Sequence, residues 1–124
     1  MDIPVYLIAG FLDAGKTEFI TGILQDGFAR EDRTLLLICE EGENEYPAAA
    51  LDNVFTYKIE DPEEMTSALF KKLEKQYKPK QVIIEYNGMW AIEPLYRNGL
   101  PANWILYQIM TLVDATTFEM YVKN

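Results

Sequence analysis

Short continuous apolar runs alternate along the chain with stretches whose apolar residues recur every three or four positions. Val5-Tyr6-Leu7-Ile8-Ala9 ends at Gly10 and predicts a strand buried on both faces. Lys16 to Gln25 follows with Phe19, Ile20, Ile23 and Leu24 at helical spacing, and Asp26-Gly27 supplies a stop. Thr34 to Cys39 predicts a second buried strand. Glu40 to Asn53 is polar and acidic, carries Gly42 and Pro47, and reads mostly as loop, with a helical turn at Ala48 to Leu51. Val54 to Ile59 alternates weakly and predicts a short strand. Asp61-Pro62-Glu63-Glu64 has the chemistry of a helix start: an N-cap, a proline at the first position and acids in the first turn. Met65, Leu69, Phe70 and Leu73 give that helix its apolar face, and Pro79 lies beyond its end. Val82-Ile83-Ile84 is a third buried run, and Ala91 to Arg97 a short helix broken by Asn98-Gly99-Leu100-Pro101. Trp104 to Val113 is a long apolar run, after which Thr116-x-x-Glu119 has capping-box spacing for a last helix.

Strands alternating with helices require β-α-β crossovers, so the pattern predicts an α/β fold around a mainly parallel sheet. Residues 1–124 read as one domain, without repeat, linker or low-complexity tract. Composition fits that picture: 49% apolar and 25% charged residues belong to a folded globular chain. Charge narrows the partners. Eleven basic residues against 20 acidic ones leave −9, which disfavours sequence-independent binding to nucleic acid or an anionic membrane. The one dense basic cluster, Lys71, Lys72, Lys75, Lys78 and Lys80, reads as a solvated helix face. A single cysteine, Cys39, excludes an internal disulfide, and the lack of histidine removes the commonest general base and transition-metal ligand. Met1-Asp2-Ile3-Pro4 has no positive n-region and Val5 to Ala9 is too short to span a bilayer, so a cytoplasmic setting is expected.

The turn between the first predicted strand and helix carries the chemistry. Gly10-Phe11-Leu12-Asp13-Ala14-Gly15-Lys16-Thr17 matches G-x-x-x-x-G-K-[ST] at every defined position. Gly10 and Gly15 permit backbone angles and close approaches that a side chain would block. The loop's N–H groups, those of Asp13, Ala14 and Gly15 among them, then point inward and cradle phosphate oxygens, aided by the N-terminus of the helix. Lys16 reaches the β- and γ-phosphates as a point charge, and the Thr17 hydroxyl is a ligand for magnesium.

Pro4 to Thr17 resembles the opening of the CobW/HypB/UreG family of P-loop GTPases, most closely its CobW-like branch. Leu37-Ile38-Cys39-Glu40-Glu41-Gly42-Glu43 resembles the family's apolar strand followed by Asn-Glu-Phe-Gly-Glu. Val82-Ile83-Ile84-Glu85-Tyr86-Asn87-Gly88 resembles the strand ending in Glu-x-x-Gly, and Leu112-Val113-Asp114-Ala115 the strand ending in Val-Asp-Ala. The resemblance implies a three-layer P-loop NTPase fold and slow, magnesium-dependent GTP hydrolysis linked to delivery of a metal to its cofactor or client. It assigns Lys16 and Thr17 to phosphate and magnesium, Glu85 to the metal side, and the Gly88 N–H to the γ-phosphate. Glu40, with Glu43, lies where switch residues would be, Glu40 as a weaker metal contact. Nucleotide, a second copy or a client protein are the partners it implies. No catalytic base is assigned.

Three departures qualify the resemblance. Glu18 replaces the second threonine of Lys-Thr-Thr and puts a negative charge beside the α-phosphate position. The branch's Cys-x-Cys-Cys is absent, and Cys39 alone reads as a buried, inert side chain. The family's guanine-reading Asn-Lys-x-Asp does not occur before Asn124, so the chain is expected to be the N-terminal part of a longer protein, with the fold incomplete at its C-terminal end. Two alternatives stand beside the GTPase: a non-hydrolysing nucleotide-binding regulatory or scaffold domain, and a P-loop ATPase or small-molecule kinase. The aromatics Tyr86, Trp90, Tyr96, Trp104 and Tyr107 read as core or half-buried packing.

Overall fold

The computed structural model describes residues 2–10, 16–27, 32–39, 53–86 and 100–112, without the side chains at 10, 16, 111 and 112. Five strands, β1 (Ile3–Gly10), β2 (Thr34–Ile38), β3 (Val54–Lys58), β4 (Gln81–Glu85) and β5 (Trp104–Leu112), form one all-parallel sheet in the order β3-β2-β4-β1-β5. Helix α1 (Lys16–Gln25) follows β1, and α2 (Ser67–Tyr77) connects β3 to β4. The expected Ala91–Arg97 helix, the helical turn at Ala48–Leu51 and the helix from Thr116 lie outside the described residues.

The apolar runs become strands because both sheet faces are covered, so successive side chains pointing to opposite faces must all be apolar. Ile8, Leu36 and Ile83 point to one face and pack with Ile20 and Leu24 of α1. Leu7, Leu35, Leu37, Val82 and Ile84 point to the other and pack with Phe70 and Leu73 of α2. Crossovers running in opposite directions along the sheet put the two helices on opposite sides, as right-handed connections require. Each fully buried side chain of this size contributes about 1.5–3 kcal/mol relative to exposure.

Helix α1 spans the predicted residues and ends where Gly27 takes φ 99°, with its N–H donated to the Leu24 carbonyl (3.1 Å). The helix predicted from Asp61 is divided instead. Asp61 caps a 3-10 turn, Pro62–Glu64, and the chain then leaves helical geometry at Met65 (ψ 79°). Thr66 caps α2 anew, its Oγ1 accepting from the Leu69 N–H at 3.2 Å. In an unbroken helix Met65 would stand about 140° around the axis from Phe70. The break lets both enter one core.

Strand β5 is tied to α2 by Trp104, whose ring stacks on Phe70 at 5.0 Å and whose Nε1 donates to Glu74 Oε1 at 2.7 Å. Arg33 holds the other end of the helix by donating to the Tyr77 carbonyl at 3.2 Å while its guanidinium lies over the Phe55 ring. Among the named aromatics, Tyr86 and Trp104 are buried as expected. Tyr107 is not: it is 54% exposed, the extra residue where the β1–β5 register shifts, and meets Tyr6 edge-on. Trp90 and Tyr96 lie outside the described residues.

Replacing Glu74 by alanine leaves the buried Trp104 indole N–H without this acceptor. The expected loss is about 1–3 kcal/mol of stability, read from the urea midpoint with a change in tryptophan emission.

Candidate functional site

Strand order places the candidate residues. From β1 the chain turns toward β2, on one side, and from β4 it passes to β5, on the other. Adjacent strands whose connections leave in opposite directions open a crevice at their C-terminal ends. Ile8 of β1 lies opposite Glu85 of β4, so Glu85 and the glycine that begins the G-x-x-x-x-G-K-T segment share that end of the sheet. Helix α1 begins there at Lys16.

One contact joins the two elements. Thr17 Oγ1 donates to Glu85 Oε1 at 2.9 Å, across 68 positions of sequence. Glu85 is the last residue of β4 and only 4% exposed, a buried carboxylate within the strand rather than a solvated acid beyond it. Its position is fixed from both sides: its carbonyl accepts from the Cys39 N–H at 2.9 Å, and the next residue's N–H, that of Tyr86, donates to the Ile8 carbonyl at 2.8 Å. On the helix, Thr21 Oγ1 donates to the Thr17 carbonyl at 2.7 Å, a local side-chain bond to the preceding turn.

These supports were not singled out in sequence. Thr21 carries a signal, a hydroxyl four residues after Thr17. The roles of Cys39 and Tyr86 follow only from strand register. Cys39 is buried, as its inert reading requires. Burial pushes the Tyr86 phenol above its ordinary value, and neighbouring Cys39 adds to the rise.

The remaining site residues divide cleanly. Glu18 is exposed in the first turn of α1. Gly10 ends β1 and Lys16 opens α1, both described in backbone only. Asp13, Ala14, Gly15, Glu40, Glu43 and Gly88 lie outside the described residues. Among the described residues, no group of three or more His, Cys, Asp or Glu side chains is arranged to hold a metal ion. The Thr17–Glu85 pair offers a hydroxyl and a carboxylate, hard oxygen donors that suit magnesium. That ion keeps several waters and takes one or two carboxylates together with substrate phosphates. No helix among the described residues is long and apolar enough to cross a membrane.

Comparison with protein-family models, with curated proteins and with solved structures gives no match.

Thr17→Val removes a donor to a buried carboxylate and is expected to lower stability by about 1–2 kcal/mol, whereas Thr17→Ser retains most of it; urea unfolding at neutral pH separates the two. A second expectation concerns alkaline pH. Because the Tyr86 value is raised in the folded state, its contribution is fully present below the unfolded value of about 10 and is lost as pH rises through the folded one. Stability should therefore fall above about pH 10, and Tyr86→Phe should remove part of that fall, read from urea midpoints on either side.

Proposed function

We propose that the chain is a P-loop nucleotide-binding domain of CobW-like type that takes a nucleoside triphosphate, GTP before ATP, with magnesium, and hydrolyses it slowly. The observation that carries the reading is the Thr17–Glu85 hydrogen bond at the C-terminal ends of adjacent parallel strands. A glycine-rich loop ending in Lys-Thr needs a carboxylate close to its threonine, and Glu85 meets that need from a distant part of the sequence.

Roles follow from the chemistry of the residues. The backbone N–H groups from Gly10 to Gly15 surround the phosphates, and Lys16 adds a charge toward the β- and γ-phosphates. Thr17 and Glu85 would hold magnesium, which when bound offsets charge on the phosphate oxygens. Glu85 is carried by a central strand with backbone bonds on both sides, so its carboxylate is positioned before a ligand arrives. Gly88 and Glu40 complete the proposed assignment, at the γ-phosphate and as a weaker metal contact. Glu18 acts against tight binding, since it places a carboxylate in the helix turn that meets the phosphates. A link to metal-cofactor assembly and a second copy or client as partner belong to the same proposal.

Titration with GTP and with ATP, each with and without magnesium, tests it. Wild type is expected to bind with a magnesium-dependent affinity that Lys16→Ala lowers by about tenfold or more, equivalent to about 1.4 kcal/mol. Glu85→Gln is expected to remove the magnesium dependence and the phosphate release. Equal, negligible binding by wild type and Lys16→Ala would overturn the proposal. Tight binding without phosphate release would favour the non-hydrolysing regulatory domain, and a preference for ATP would favour an ATPase or kinase.

A further inference from the structure

Charge is segregated along the segment from Glu60 to Lys80. Glu60, Asp61, Glu63 and Glu64 are all exposed and give residues 60–64 a charge of −4. Residues 71–80 carry five lysines, all exposed, against the single acid Glu74, a charge of +4. Glu74 does little to neutralise them at the surface, because its Oε1 is engaged inward by Trp104 Nε1 at 2.7 Å and Asn103 Nδ2 at 3.1 Å. Among the described residues, no ion pair joins any of the five lysines to a carboxylate.

Acid before a helix and base at its end also complement the helix dipole, which accounts for Lys75 and Lys78. It does not account for Lys71 and Lys72, the fifth and sixth of the eleven residues of α2. The lysine run is centred near Lys75, about 12 Å along the axis of α2 from Ser67, and the acidic turn lies before that residue. The separation exceeds the Debye length of about 8 Å at physiological salt, so the patches do not cancel each other within one molecule. Each is instead available to a surface of opposite charge, and the matching charge of equal magnitude lies in the same segment of the chain.

We propose that this face is a self-association surface: two copies of the chain pair antiparallel through α2 about a twofold axis. The acidic turn 60–64 of each copy meets the lysine face of the other. A twofold contact of this kind is self-complementary, because whatever one copy presents it also receives. A single helix face gives an interface at the small end of the known range, so the dimer is weak and concentration-dependent. The net charge of −9 on each copy opposes it at very low salt. Association is therefore strongest near about 0.1 M salt, where long-range repulsion is screened but touching patches still attract, and is lost near about 1 M.

Analytical ultracentrifugation of the chain tests this through charge reversal. Wild type is expected to form dimers with rising concentration near about 0.1 M salt and to revert to monomer near about 1 M. Lys71→Glu/Lys75→Glu and Glu60→Lys/Glu63→Lys are expected to be monomeric when alone. Mixed in equal amounts, they are expected to form a 1:1 dimer, since each then carries the charge the other lacks. All substituted positions are exposed, and circular dichroism checks that both variants remain folded. A wild type that stays monomeric at its highest soluble concentration would overturn the proposal. So would dimers that persist in either variant alone or in high salt, open-ended polymers, or a mixture that remains monomeric. Binding of polyglutamate to a monomeric wild type would assign the lysines to an acidic partner and equally overturn self-pairing.

Discussion

Four register pairs, from Val5 with Val82 to Ile8 with Glu85, fix β1 against β4, and the rest of the candidate site depends on that pairing. A parallel arrangement puts the C-terminal ends of both strands at one edge of the sheet. A shift of one residue would send Glu85 to the opposite face and replace it with Ile84 or Tyr86. The register is held by burial on both faces: Leu7 with Ile84 on the α2 side, Ile8 with Ile83 on the α1 side. The apolar core therefore determines which side chain meets Thr17, although no core residue touches the nucleotide in the proposed chemistry.

Much of this was legible in the sequence because the information is local. Continuous apolar runs marked β1, β2 and β4, and α1 lies within its predicted limits because Ile20, Leu24 and Gly27 fix its face and its end. The P-loop pattern is a contiguous string, so its proposed roles needed no structure. The break at Met65 was not legible. Asp61-Pro62-Glu63-Glu64 is a sound helix start, and so is Thr66; which one begins the α-helix depends on whether Met65 and Phe70 can both reach the core, a tertiary matter. The burial of Trp104 was legible from its apolar run and its aromatic ring, but its bond to Glu74 was not, since it joins residues 30 positions apart. The exposure of Tyr107 was hidden because alternation fails at a register shift.

The buried polar side chains follow one rule. Thr34, Gln81 and Glu85 are nearly inaccessible. Gln81 Nε2 donates to Thr34 Oγ1 at 2.7 Å, and that hydroxyl donates to the Asp32 carbonyl at 3.0 Å. This pair sits at the start of β2 and β4, where no ligand chemistry is proposed, and it is satisfied by neighbouring strands and the turn before them. Glu85, at the far end of β4, receives a side-chain donor from another element, the first turn of α1. The two ends of one strand thus carry buried polarity of different kinds. One is a closed structural pair, and the other is a carboxylate whose partner lies in the segment proposed to bind phosphate.

The strand order also has a kinetic consequence. The described sheet contains no hairpin, and β1, made first, takes as its neighbours strands whose paired residues lie 77 positions away (Val5 to Val82) and 101 away (Ile3 to Trp104). Long loops must close before either contact forms, which makes such pairing slow compared with local structure. During synthesis, the apolar stretch Val5 to Ala9 emerges long before anything in this sheet is available to cover it. This interior strand of the finished sheet is therefore the one that waits longest for its neighbours, with both strand edges open to aggregation meanwhile.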